Sequence, residues 1–255
     1  MTLSCCNVLT ANLQPIPVLV YHQIEKAPPK GAPFRSLYVS LPAFSRQMGL
    51  LSLLGYRGLS MGELMPYLLG KLSGKVVGIT FDDGYVNNLV NALPVLQRHR
   101  FSSTCYAVSS LAGKTNVWDK KIGIAQAALM SEIQMRDWIA GGQEIGSHTH
   151  SHPRLTELDY AASLAEIAKG KLELEAAVGG SIRHFCFPYG DYRSVHVDMA
   201  GHQGFDTATT TRRSRCLSGT RMLEIPRVPV LRSTSLPVFL LKIASGYEDR
   251  KSHER

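Results

Sequence analysis

Short apolar runs that end abruptly in polar clusters recur along this chain, with amphipathic segments between them. Val18-Leu19-Val20-Tyr21 runs into His22, and Val76-Val77-Gly78-Ile79 runs into Thr80-Phe81-Asp82-Asp83-Gly84-Tyr85. Glu144 to Ser147 leads into a histidine cluster, and Phe185-Cys186-Phe187 ends at Pro188-Tyr189-Gly190. Short continuous apolar runs suit strands buried on both faces. Between them, apolar spacing and caps predict helices over 42–54, from the Ser60 capping pattern onward, over 87–98, 131–140, 158–178, 192–202 and 237–245. Pro94 either bends the third of these or marks its late start. The segment 122–130 also has helical character. Further strands are expected at 56–59, 103–108, 205–209 and 224–228. Repeated β-then-α units imply a parallel sheet covered by helices. Seven or eight of them suit a closed barrel better than an open sheet. In such a barrel the loops after the strands carry the chemistry.

With 255 residues, 44% of them hydrophobic, the chain can bury one large core. The expected division is a tail over 1–14, a single domain over 15–246 and a basic tail over 247–255. No run of 18 apolar residues exists, so no membrane-spanning helix is expected. The first residues have neither a basic n-region nor a long apolar h-region. That predicts a cytoplasmic protein, with peripheral membrane association left open. The formal charge of +8 is concentrated in part at Arg212-Arg213-Ser214-Arg215 and in the last residues. No nucleic-acid motif accompanies it, and a solvated surface with a disordered tail is expected. Five cysteines without paired spacing define neither a zinc finger nor a disulfide framework.

Two clusters carry potential chemistry. Adjacent carboxylates at Asp82 and Asp83, at the end of a buried strand, are costly unless something polar meets them. They belong to a site or to a loop that caps a helix. His148 and His152 are four apart, which in a helical turn would put both rings on one face, within reach of one ion. A strand-end carboxylate is the natural third ligand. Two histidines and one carboxylate leave open positions, which suits hydrolysis. The alternative is a polar surface loop. His150 would point away.

Thr80-Phe81-Asp82-Asp83-Gly84-Tyr85 resembles the first motif of polysaccharide deacetylases, the NodB homology domain of carbohydrate esterase family 4. His148-Thr149-His150-Ser151-His152 is similar to the second motif, and Phe185 to Gly190 to the third. Order and separation fit, and the match runs from about Val18 to Pro229. The resemblance implies a distorted (β/α)7-8 barrel and one divalent metal ion, zinc first, with Co2+, Ni2+ or Mn2+ as alternatives. It implies that Asp83, His148 and His152 hold the ion and that Asp82 is the general base. It sets Pro188-Tyr189 at the oxyanion position, through the Tyr189 backbone N–H. The expected partner is an N-acetylated glycan or glycoconjugate, with no nucleic acid; nothing in the sequence speaks to oligomeric state.

Two departures from the pattern matter. Where the third motif often carries an Arg that orients the base, this chain has Cys186, so something else must hold Asp82. The usual C-terminal Leu-any-His that supplies a general acid is missing. Val18 to His22 resembles the Tyr-His strand end of the branch acting on poly-N-acetylglucosamine, which makes His22 the candidate acid; a structural histidine is the alternative. Trp118 and Asp119 are placed in a sugar groove or, for Trp118, in packing. Arg227 is expected to reach Asp82, a substrate anion or a surface carboxylate. The implied function is metal-dependent N-deacetylation of N-acetylhexosamine units. Competing readings are a hydrolase of non-sugar amides or O-acetyl esters, and a silent glycan-binding module.

Overall fold

The computed structural model describes residues 14–252. Cys5, Cys6 and most of the expected N-terminal tail therefore lie outside the described residues. In chain order the elements begin with β1 Val18–Tyr21, β2 Gln23–Ile24, β3 Tyr38–Val39, α1 Leu41–Leu53, β4 Arg57–Leu59, α2 Met61–Leu68 and β5 Val76–Phe81. A π-turn over Asn88–Ala92 leads into α3 Leu93–His99, followed by β6 Thr104–Ala107, α4 Glu132–Ala140, β7 Glu144–Ser147 and α5 Tyr160–Val178. The last elements are β8 His184–Cys186, α6 Ser194–His202, β9 Thr207–Arg213, β10 Ile225–Pro229 and α7 Leu236–Ala244.

Seven strands close a ring in the order β1, β10, β9, β8, β7, β6, β5 and back to β1. Every pairing in it is parallel. β4 pairs with the start of β5, outside the ring. The predicted barrel is therefore present. Its closure is the β1–β5 pairing, Leu19 opposite Ile79 and Tyr21 opposite Phe81.

Alternation along the strands divides the side chains into two sets. Leu19, Tyr21, Ile79, Phe81, Phe185 and Val228 belong to the large core under the helices. Val18, Tyr106, Cys186 and Ile225 form a smaller, separate cluster. The second set fills the barrel, and continuing its period brings His22, Asp82, His148 and Arg227 to the C-terminal mouth. Gly146 is required here, because a Cβ would stand 2.5 Å from the Tyr106 ring.

Local signals explain the helix boundaries. Ser60 caps α2 by accepting from the Glu63 N–H, and Ser131 and Gln134 form a reciprocal capping box on α4. Pro94 lies in the first turn of α3, so it starts a helix instead of bending one. The helical expectation for 122–130 fails. After a 3₁₀ segment, Val117–Ile122, the chain runs extended, and Thr115 bridges Ala128 while Tyr85 bridges Leu129. Those cross-links lay a loop over the barrel mouth, a long-range pairing that helical spacing does not report.

The segment after α7 is docked, not a free basic tail. Glu248, fully buried, accepts from Arg213 Nε at 2.8 Å and also pairs with Lys242. Asp249 pairs with Arg215 at 2.7 Å. Part of the Arg212–Arg215 charge is thus neutralised within the fold.

Gly170, inside α5, lets the helix press on the histidine loop: a Cβ there would stand 2.6 Å from the Thr149 carbonyl carbon and 2.9 Å from His150 N. Helix propensity alone would make Gly170→Ala stabilising by about 1 kcal/mol. We expect the clash with backbone to win, destabilising the fold by about 1–3 kcal/mol in urea unfolding. A midpoint at or above that of the wild type would refute the packing argument.

Candidate active site

β1 and β5 deliver the first two groups side by side. The Asp82 N–H donates to the Tyr21 carbonyl at 3.0 Å, so the residues after both strands emerge at one level. Asn88 Nδ2 donates to the His22 carbonyl at 2.9 Å and fixes the turn after β1. As a result His22 Nε2 lies 3.9 Å from Asp82 Oδ2. Nothing in the sequence spacing marks Asn88 for this role.

Asp82 is held by Arg227. Nη1 reaches Oδ1 at 2.6 Å and Nη2 reaches Oδ2 at 2.8 Å, a bidentate pair with both side chains buried. The remaining donors are also used: Nε to the Thr210 carbonyl at 2.9 Å, Nη1 to Thr80 Oγ1 at 3.1 Å, and Nη2 to Cys186 Sγ at 3.2 Å. All five N–H groups of the guanidinium are occupied. Of the partners expected for Arg227, the structure shows Asp82: the guanidinium, 1% exposed, holds that carboxylate at the inner wall of the cavity. This also answers the Cys186 departure. The cation arrives from β10, and the small thiol on β8 leaves room for it. Burial by itself would raise the Asp82 carboxyl, but the Arg227 charge more than offsets that and holds it below the usual range.

Asp83 turns the other way. Its backbone is left-handed, with φ 75°, which separates its carboxylate from that of its neighbour. Oδ1 lies 3.5 Å from His148 Nε2 and 3.4 Å from His152 Nε2. Here too burial would raise the carboxyl, but the two imidazoles hold it well below the usual range. His148 Nδ1 is 2.8 Å from the Cys186 carbonyl, which sets the proton on Nδ1 and frees Nε2.

The two histidines converge without the expected helical turn. Residues 148–154 form a loop in which Thr149 (φ 68°) and His152 (φ 64°) are both left-handed. The His152 N–H donates to Thr149 Oγ1 at 3.0 Å, closing the loop on itself. The His152 ring is held by its neighbours: Trp118 stacks on it at 4.3 Å, and Tyr189 meets it edge-on at 4.6 Å. Its Nδ1 is buried with no hydrogen-bond partner among the described residues. His150 does point away, to Glu173 at 2.7 Å.

This donor set fits a divalent ion. Asp83, His148 and His152 each offer one atom, all within 4.8 Å of one another and all buried. Ligands about 2.0–2.1 Å from a tetrahedral ion stand about 3.3 Å apart, close to the separations from Asp83. A second grouping, Asp82 with His148 and Cys186, meets the same distance test. It is a poor ion site, because the Arg227 cation already lies between Asp82 and Cys186.

A cavity of about 430 Å³ opens over these groups. His22, Asp82, Asp83, Trp118 and Tyr189 line it, with Phe34 and Leu231 at its walls. Trp118 therefore both packs and faces the cavity. Tyr189 is left-handed, with φ 58° and 39% exposure, and Arg154 lies 4.3 Å above its ring. Arg154 escaped the sequence reading because nothing local distinguishes it from any surface arginine. Asp119, buried in the wall, is pushed up by burial, while its Asn116 hydrogen bond opposes the shift.

A parallel barrel with two adjacent carboxylates divided between an arginine and two histidines at its mouth is the frame for comparison with known proteins. A family model described as polysaccharide deacetylase matches residues 70–208. The chain belongs to the polysaccharide deacetylase family, hydrolases that act on acetamide bonds. It is 28% identical over 217 residues to YxkH of Bacillus subtilis, covering 84% of this chain and 71% of that one. It is 23% identical over 252 residues to the poly-β-1,6-N-acetyl-D-glucosamine N-deacetylase of Staphylococcus epidermidis, covering 91% and 84%. Its fold is shared with deacetylase PplD of Streptococcus pyogenes (TM-score 0.79, 23% identity, 90% and 98% covered). Among the described residues no helix is long and apolar enough to cross a membrane.

The Arg227 clamp generates a directional prediction. Replacing Arg227 by Met leaves Asp82 buried without its cation, so desolvation then raises the carboxyl. In the native protein this depressed carboxyl adds stability above the ordinary carboxylate range, and that stability is lost as pH falls through the folded-state value. Arg227→Met should therefore move the acid limb of the pH–rate profile upward and cost about 3–5 kcal/mol at neutral pH. An unshifted acid limb in a folded variant would show that Arg227 does not control Asp82.

Proposed function

We propose that this protein is a divalent-metal-dependent N-deacetylase that hydrolyses the acetamide of N-acetylhexosamine units in a glycan or glycoconjugate. The reading rests on one observation above the others: two adjacent carboxylates are divided by their partners, Asp82 to an arginine and Asp83 to two imidazoles. Asp83, His148 and His152 would hold the ion, with zinc as the first choice for two nitrogens and a carboxylate oxygen. When bound, such an ion acts as a Lewis acid toward water and the amide carbonyl.

The chain's own residues do the rest. Asp82, kept ionised by Arg227, accepts the proton of the attacking water at a carboxylate oxygen. The water oxygen joins the acetyl carbon, and the Tyr189 N–H donates to the oxyanion, a contribution of about 3 kcal/mol in comparable sites. His22 faces Asp82 across 3.9 Å and gives its proton to the amine nitrogen as the C–N bond breaks. Acetate and the free amine are the products. Trp118 offers a flat apolar face suited to a sugar ring.

A silent binding module has no use for a carboxylate held ionised at the cost of a buried arginine, which favours the catalytic reading. The N-deacetylase relative in Staphylococcus epidermidis supports an N-acetylhexosamine substrate.

Acetate release should be measured on N-acetylglucosamine oligomers, O-acetyl esters and non-sugar amides, with and without a chelator. Chelation should abolish turnover of the oligomers, and metal should restore it. Asp82→Asn should lose about 10²–10⁴-fold in kcat while its metal content stays at the wild-type level. Full activity in that variant removes Asp82 as the base. His22→Gln should lower kcat by about 10²-fold or more while metal content stays at the wild-type level. Wild-type kcat in that variant would reassign the acid.

A further inference from the structure

Residues 148–152 face two ways. His148 and His152 turn inward onto Asp83, while His150 and Ser151 turn outward onto α5. The outer contact is made by one side of that helix. Glu166, Gly170 and Glu173 stand at i, i+4 and i+7, so they share a face. Gly170 lets the helix backbone touch the loop, and a carboxylate stands one turn to either side of it.

Both carboxylates grip the loop. Glu166 Oε2 accepts from the Ser151 N–H at 2.8 Å, and Oε1 accepts from Ser151 Oγ at 2.7 Å. The Glu166 carbonyl accepts from the His150 N–H at 3.0 Å. Glu173 Oε2 lies 2.7 Å from His150 Nδ1 and accepts from Ser109 Oγ at 2.6 Å. Lys169 Nζ lies 3.2 Å from His150 Nε2, so Nε2 accepts and Nδ1 carries the proton that Glu173 takes. From the other side, after β6, the Ser109 N–H donates to the Thr149 carbonyl at 3.3 Å and the Ser110 N–H to the His150 carbonyl at 3.0 Å. The loop is thus clasped between α5 and the residues that follow β6.

The grip falls on the two residues between Thr149 and His152, which are the left-handed ones. Such backbone persists only where its surroundings overdetermine it. An ion cannot provide that before it binds, so the chain itself must hold the shape. Were the loop to relax, only a fraction of molecules would present both Nε2 atoms to Asp83. The apparent dissociation constant of the ion would rise by the inverse of that fraction. Ser151 is exposed, so its two bonds draw on geometry more than on burial: one residue offers two donors to the two oxygens of one carboxylate.

We propose that Glu166 and Glu173 are positioning residues that hold the metal-free 148–152 loop in its ligating shape and thereby set the protein's affinity for the ion. The proposal rests on the ion site given above. Neither residue lines the catalytic cavity.

The test measures zinc affinity by competition with a chromophoric chelator on the full chain stripped of metal, and amide hydrogen exchange on the same metal-free protein. Glu166→Ala should weaken zinc binding about tenfold or more and speed exchange at Ser151 and His152. Glu173→Ala should weaken it to a similar extent and speed exchange at His150. Glu166→Gln and Glu173→Gln keep an acceptor of the same shape and should stay near the wild-type affinity. Ser151→Ala tests the Glu166 contact without altering the helix; it should weaken zinc by a smaller factor than Glu166→Ala, and the two together should cost no more than Glu166→Ala alone. A Gln variant as weak as its Ala counterpart would make charge, not position, the cause and overturn the proposal. Wild-type zinc affinity in both Ala variants overturns it too, and leaves the ion site standing. Absence of zinc binding in the wild-type chain removes the ion site and the proposal together.

Discussion

The parallel pairing of the first strand with the fifth is the constraint on which the rest of this molecule depends. Without it the sheet would be open, with β1 and β5 as exposed edges. With it the ring closes, and the register that sets Tyr21 opposite Phe81 also sets His22 beside Asp82. Two residues sixty positions apart become neighbours because their strands end at one height. The Asn88 side chain, from the turn that follows β5, then locks the backbone of His22. The position of the proposed acid is thus a consequence of barrel closure, not of any local motif.

Closure also creates the electrostatic problem that Arg227 solves. A carboxylate at the mouth of a narrow barrel is cut off from water, and an ionised group there needs a partner. The partner comes from β10, which flanks β1 on the side away from β5. The sequence reading registered the vacancy, since Cys186 stands where an arginine is usual and something had to replace it. It named Arg227 as one residue that could reach Asp82 but could not select that partner over a substrate anion or a surface carboxylate, because Arg227 lies 145 residues from Asp82 and only the ring brings them together. The small sulfur on β8 and the long cation on β10 are two halves of one adjustment.

Most of the scaffold was legible, because strands buried on both faces and capped amphipathic helices leave strong local signals. Ser131 with Gln134, and the glycines that end helices, marked boundaries to within a residue or two. Three features were not legible in the same way. The 122–130 stretch has helical spacing but is pulled straight by cross-links from Thr115 and Tyr85. The segment around Glu248 looked like a charged tail, yet it supplies the counter-charge for Arg213 and Lys242. His148 and His152 have the right interval for a helix and still meet by another route. In each case a long-range contact outweighs a local preference, and local pattern is all that a single sequence displays.

The histidine route shows where the fold spends its stability. Six residues other than glycine have positive φ among those described, and Asp83, Thr149, His152 and Tyr189 all belong to the proposed site or its loop. Each such conformation costs of order 1–3 kcal/mol and persists only where its surroundings overdetermine it. Those surroundings are visible. Thr149 accepts from His152 and Ser109, α5 presses Gly170 against the same loop, and Trp118 and Tyr189 clamp the His152 ring. The left-handed turn at Asp83 separates two adjacent carboxylates, and the turns at Thr149 and His152 bring two imidazoles onto one of them. Had these residues kept relaxed backbone, Asp82 and Asp83 would not be divided between an arginine and a pair of histidines, and the barrel mouth would hold charge without a division of labour.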